Sequence, residues 1–156
     1  MHRTTCSLTA AAFVAGAVSG WMLHESGVAA QAPPPPFTMQ RIYTGADGLS
    51  HVERIPLDAS TVLEPVTKVA VSVSKPGSFS DYHVAPERRY IVNLTGGGQL
   101  RLADGVVDLP VGSIEYIDDL TGKGHTTANV GSAPRVSLIL TLAGQRQTIG
   151  PIGPRR

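Results

Sequence analysis

Beyond residue 30 the chain carries three histidines, His51, His83 and His125, each in a different short strand-like run. No cysteine follows Cys6, so thiolate ligands and cysteine redox chemistry are excluded from that part of the chain. Neutral imidazole is a ligand for divalent metals, here Fe, Zn, Mn or Ni, and three protein ligands leave a position open for water or substrate. Convergence of His51, His83 and His125 would make such a centre. Glu115, Asp81, Asp118 or Asp119 can add a carboxylate, and two histidines with one carboxylate would match an oxygenase-type iron site. The plainer reading is of three isolated sheet histidines, hydrogen-bonded or half exposed, because no tight spacing ties them together.

Arg89 suggests a different chemistry. A guanidinium keeps its charge, so an arginine inside a β cavity needs an acidic partner or an anionic ligand. Its fork matches a carboxylate or phosphate in bidentate fashion. Strand alternation puts Arg89 with Ile91 and Asn93, and Tyr90, Val92 and Leu94 on the more apolar face. Pattern alone therefore turns Arg89 outward. Turned inward, it would take Glu115 or Asp118 as counter-ion, or a small carboxylate as ligand.

The remaining polar groups are weaker signals. Asp118 and Asp119 precede a Gly-rich turn and read as turn chemistry, or as a carboxylate that orients His125 as a base. Tyr82 and Tyr116 can line a cavity or pack at its rim. Gly122-Lys123-Gly124 lacks the helix that a phosphate loop needs, and no serine sits in a nucleophile elbow. Asn93-Leu94-Thr95 matches a glycosylation acceptor but falls in mid-strand.

The elements that must position these groups are strands. Met39–Tyr43, His51–Leu57, Lys68–Ser74, Phe79–Val84, Arg89–Leu94, Gln99–Leu102, Val106–Leu109, Ser113–Ile117, His125–Asn129 and Val136–Leu142 are short β-rich runs separated by Gly, Pro and Asp. Ala103-Asp104-Gly105 is a hairpin signal. About ten short strands without an amphipathic helix predict an all-β sandwich or barrel over residues 39–144, with 145–156 as a C-terminal tail.

Residues 1–30 read as a targeting segment. Arg3 supplies a basic start, Leu8–Leu23 is almost wholly small or apolar, and Val28-Ala29-Ala30 suits a signal peptidase, with Gln31 beginning the mature chain. The alternative is an uncleaved anchor, since the run approaches the roughly 18–20 residues that span a bilayer. Cys6 precedes the apolar run and is badly placed for lipidation. Pro33–Pro36 makes residues 31–38 an extended linker. A periplasmic or secreted protein is expected, touching membrane only through its N-terminal segment. The net charge of +1 and the 5% aromatic content give no nucleic-acid footprint.

Residues 41–142 resemble a small single-domain cupin, whose fold is a jelly roll, or double-stranded β-helix, with two motifs facing a central cavity. Gly77, His83, the run Arg89–Gly96, and then Gly112, Gly124, His125 and Asn129 carry the resemblance. It implies two His and a Glu from the first motif and a His from the second as metal ligands. In this chain Asp81 and Ala85 flank His83 where a second histidine would stand, and Arg89 occupies the Glu position, so that set is broken. The resemblance turns Arg89 inward, against the pattern. Two functions follow as expectations. One is an exported cupin-like protein that binds a small, anionic molecule without turnover, using Arg89, Tyr82, Glu115, Asp118 and His125. The other is a metal-dependent cupin enzyme, of oxygenase, isomerase or lyase type, using His51, His83 and His125. A homodimer through uncovered strand edges is also expected.

Overall fold

The structure is a computed structural model that describes residues 37–152. The expected targeting segment and nearly all of the linker lie outside the described residues. Ten strands form: β1 (Thr38–Thr44), β2 (Ser50–Pro56), β3 (Val66–Ser74), β4 (Phe79–His83), β5 (Arg89–Thr95), β6 (Gly98–Leu102), β7 (Gly105–Leu109), β8 (Ile114–Asp118), β9 (His125–Asn129) and β10 (Arg135–Leu142). No helix occurs among the described residues.

The pairing is nested. β6 pairs with β7, β5 with β8, β4 with β9 and β3 with β10, all antiparallel. That is a long antiparallel ribbon, folded at the Ala103-Asp104-Gly105 turn and rolled so that successive pairs fall in opposite sheets. The result is a jelly roll. One sheet has the order β2-β1-β8-β5-β10-β3, the other β4-β9-β6-β7. The β1–β2 hairpin extends the larger sheet through a parallel contact between β1 and β8.

Apolar side chains fill two layers rather than one. Ile42 and Ile117 from the large sheet meet Leu100, Leu102 and Leu109 from the small one between the sheets. A second cluster, Met39, Tyr90, Tyr116 and Leu142, lies on the opposite face of the large sheet, with Ile55 and Leu57 against it. A fully buried Ile42 or Leu142 stabilises the fold by about 1.5–3 kcal/mol. Over β1, β5, β8 and β10 the large sheet is thus covered on both faces, which weakens any inference from apolar alternation about which face points inward.

The edge strand β3 lies outside that cover and departs from the pattern in another way. Its valines, Val69, Val71 and Val73, are more than 60% exposed, whereas Ser72 and Ser74 face the space between the sheets. The segment read as a tail is held in place as far as it is described. Thr148 and Gly150 carbonyls accept from Arg41, Gly150 N–H donates to the Thr44 carbonyl, and Ile152 N–H donates to Glu53.

Candidate functional site

Between the sheets, adjoining the apolar layer and bounded in part by its Leu100, Leu109 and Ile117, lies a cavity of about 290 Å³. At roughly 30 Å³ per water it has room for about ten waters, or one small organic molecule. The small sheet supplies His83 from β4 and His125 from β9. The large sheet supplies Arg89 from β5, Glu115 from β8 and Arg135 from β10, with Ser72, Ser74 and Ser137 around them.

His83 and His125 are directly opposed in the β4–β9 register, and their ring centroids lie 4.8 Å apart. They are neighbours on one wall, not partners facing each other across the hollow. Each ring has its Nδ1 occupied. His83 Nδ1–H donates to the Asp81 carbonyl at 2.7 Å, and His125 Nδ1–H donates to Asp119 Oδ2 at 2.6 Å. A carbonyl and an ionised carboxylate only accept, so both imidazoles are left with a bare Nε2 when neutral. Asp119 is fully buried, and its Oδ2 also accepts from Ser50 Oγ at 2.7 Å.

Arg135 and Glu115 neutralise one another at 2.9 Å. Arg135 also donates to Asn93, and Ser113 donates to Glu115. Burial raises the Glu115 pKa above the ordinary carboxyl value, while Arg135 and Ser113 pull it back down. Asn93 is 1% exposed with its amide fully engaged, so the Asn93-Leu94-Thr95 sequon is not accessible to a glycan.

Arg89 has no such partner. It lines the cavity, makes no ion pair, and its buried Nε has no hydrogen-bond acceptor among the described residues. Burial lowers its pKa, and the nearby charges of Glu87 and Asp119 act in the opposite sense. A guanidinium titrates so high that it remains a cation regardless. The expected counter-ions are taken elsewhere: Glu115 by Arg135, and Asp118 by Arg41 and Arg88.

Several sequence expectations are corrected here. Asp118 does not line the cavity: strand alternation along β8 sends Tyr116 and Asp118 to the far face of the sheet and Glu115 and Ile117 inward. Asp119, the next residue, is the carboxylate that reaches His125. Tyr82 is 41% exposed at the surface, with Lys123 Nζ over its ring, and does not line the cavity either. Arg135 was missed, although Arg135, Ser137 and Ile139 alternate with Val136, Leu138 and Leu140 in a readable polar-face pattern.

His51 is also absent from the cavity. It bridges two turns, with Nδ1 2.9 Å from Asp104 and Nε2 3.1 Å from Asp47. The three-imidazole centre therefore does not assemble. Among the described residues no group of three His, Cys, Asp or Glu side chains is placed to hold a metal ion. The cavity offers two bare imidazole nitrogens beside a fixed guanidinium charge, a donor set that does not fit the expected divalent ion.

The His51 bridge has its own consequence. The Asp104 hydrogen bond raises the His51 pKa; burial, the next largest effect, opposes it, and the Asp47 hydrogen bond adds to the rise. A raised folded-state pKa contributes stability that is fully present below the unfolded value of about 6.5 and is lost as pH rises through the folded value. We expect the melting temperature to fall from pH 6 toward pH 8, and Asp104→Asn to flatten that slope. NMR titration of His51 checks it directly: a pKa at or below about 6.5 contradicts the bridge.

No protein-family profile matches the chain, and no curated protein sequence is similar to it. Among solved structures, a cupin domain from Bordetella pertussis Tohama I is 16% identical with a TM-score of 0.40, over 72% of this chain and 100% of that one. A sugar phosphate isomerase of the cupin superfamily from Silicibacter pomeroyi is 18% identical with a TM-score of 0.39, covering 68% of this chain and 69% of that one. A capsular polysaccharide assembling protein from Staphylococcus aureus is 21% identical with a TM-score of 0.35, over 56% of this chain and 25% of that one.

Proposed function

We propose that the chain is an exported, cupin-like jelly-roll protein that holds a small organic anion, a carboxylate or phosphate ester, between its sheets. Residues 1–30 serve as the export signal in this reading. The observation that carries it is Arg89: a cation that lines the cavity outside its one neutralised pair, Arg135 and Glu115, with its Nε unsatisfied among the described residues. A buried donor left unpaired costs about 1–3 kcal/mol, more when charged, and an anion relieves that cost on binding. Ser72, Ser74 and Ser137 can hydrogen-bond the rest of a hydroxylated molecule, and Ile91 and Ile139 bound its apolar side.

The test is binding of acetate, pyruvate, acetoacetate and dihydroxyacetone phosphate, followed by NMR shifts at the cavity and by calorimetry. Arg89→Gln should weaken any binder on the order of 10–100-fold, the worth of a charge-assisted hydrogen bond of about 1.5–3 kcal/mol. Equal affinity in the variant, or shifts confined to the outer surface, would overturn the proposal.

A further inference from the structure

We infer that the cavity is a proton-transfer site: His125, oriented by Asp119, acts as the base that enolises a small anionic carbonyl compound, and His83 is its partner acid. The inference rests on the anion-binding reading above, since Arg89 must hold the substrate's carboxylate or phosphate.

Three features of the geometry point this way. Asp119 is fully buried and its Oδ2 accepts from His125 Nδ1 and from Ser50 Oγ, so the bare nitrogen of the neutral imidazole is Nε2. A buried carboxylate behind an imidazole also stabilises the imidazolium that forms when Nε2 takes a proton. Beside it, His83 presents a second Nε2, with the two ring centroids 4.8 Å apart. The cavity thus has a fixed cation on the large sheet for the anionic end and two adjacent proton carriers on the small one.

The reaction balances without an oxidant or reductant. His125 Nε2 removes the proton from the carbon next to the carbonyl. The C–H bond breaks, an N–H bond forms, and the electron pair moves to the carbonyl oxygen as an enolate. His83, protonated at Nε2, delivers a proton to that oxygen to give the enol or enediol. His125 then returns its proton to carbon while His83 takes a hydroxyl proton back. At the original carbon and oxygen this regenerates the starting compound; at the adjacent carbon, with loss of the other hydroxyl proton of an enediol, it gives the isomer. Both imidazoles lie on the same sheet, so removal and return occur from one face. That favours a shift between adjacent atoms over inversion at a single carbon, which needs groups on opposite faces.

The experiment is deuterium wash-in from D2O into pyruvate, acetoacetate and dihydroxyacetone phosphate, followed by proton NMR with the full-length protein. Exchange should exceed the buffer rate by at least about 100-fold. His125→Gln should abolish the excess at saturating probe, and Asp119→Asn should cut it about 100-fold or more by releasing the tautomer. Nitrogen-15 shifts provide a readout independent of turnover: neutral His125 should carry its proton on Nδ1, and lose that preference in Asp119→Asn, with Asp119→Glu restoring it in part. Probes that bind in an Arg89-dependent way but show no exchange would overturn proton transfer and leave the binding reading intact. Exchange that survives His125→Gln, or a wild-type His125 protonated on Nε2, would overturn it as well. Failure of every probe to bind would instead overturn the anion-binding reading.

Discussion

Asp118→Ala is expected to lower the unfolding free energy by about 3–5 kcal/mol, the usual cost of removing one member of a buried ion pair. Asp118 is fully buried between two arginines. Its Oδ2 accepts from Arg41 Nε and Nη2 at 3.1 and 2.6 Å, and its Oδ1 from Arg88 Nε at 2.8 Å. Arg41, also fully buried, continues to Glu53 and to the Thr148 and Gly150 carbonyls. Arg88 continues to Glu64, Tyr116 and the Gly144 carbonyl. One carboxylate therefore ties β1, β8, the segment before β3, the approach to β5 and the chain end into a single network. With it gone, two guanidinium groups are left in a low-dielectric layer with their strongest partner missing. Against a total stability of about 5–15 kcal/mol the loss is severe. Denaturant unfolding measures it, and Glu53→Gln, at the wetter edge of the network, should cost far less. Because Asp118 faces away from the cavity, ligand affinity per folded molecule should not change. A loss under about 1 kcal/mol would show that the network is dispensable.

Gly124→Ala is the second large effect, and it acts on the site itself. Gly124 has φ +75° and stands immediately before His125. A Cβ there would fall on the carbonyl group of His83 and 2.7 Å from Val84 N, backbone atoms that cannot swing aside. The left-handed conformation alone penalises alanine by about 1 kcal/mol. The collision adds to that by pushing the end of β4 away from β9, which separates the two imidazoles. Gly77→Ala separates the two causes: its φ is +72°, but nothing lies within 4 Å of a Cβ there. We expect Gly77→Ala to lose about 1 kcal/mol and keep ligand binding. Gly124→Ala should lose several times that, with altered His83 and His125 ring resonances in whatever fraction still folds. Equal losses in the two variants would mean that β4 yields and that the approach is not tight.

The strands themselves were legible to a residue or two because turn chemistry punctuates the chain so densely. Gly, Pro and Asp break it at almost every hairpin, and β-branched and aromatic residues fill the intervals. Face assignment was not legible in the same way. On β5, the more apolar set Tyr90, Val92 and Leu94 looks like the inward face, yet Arg89, Ile91 and Asn93 point between the sheets. On β3, three valines point outward while serines line the cavity. Alternation reports which side chains share a face. It reports which face is interior only when one side meets water and the interior is apolar; β5 carries covered apolar residues on both faces, and β3 turns its serines to the interior.

The chain by itself determined an all-β fold, its strand boundaries, the absence of cysteine chemistry past Cys6, and the short set of residues able to do acid–base or ionic work. Those follow from local propensities and from side-chain chemistry, which travel with the residue. Only the tertiary structure decided which of these groups meet. It took His51 to a surface bridge, gave Asp118 to Arg41 and Arg88, brought Asp119 to His125, and left Arg89 without an ion pair among the described residues. Apart from the Asp119–His125 pair and the Asp47 end of the His51 bridge, every one of these contacts joins residues at least 30 positions apart or depends on which face of the large sheet is inward. Such pairings are fixed by how the ribbon rolls and by competition among carboxylates for a few buried cations, and neither is written in the spacing of the residues.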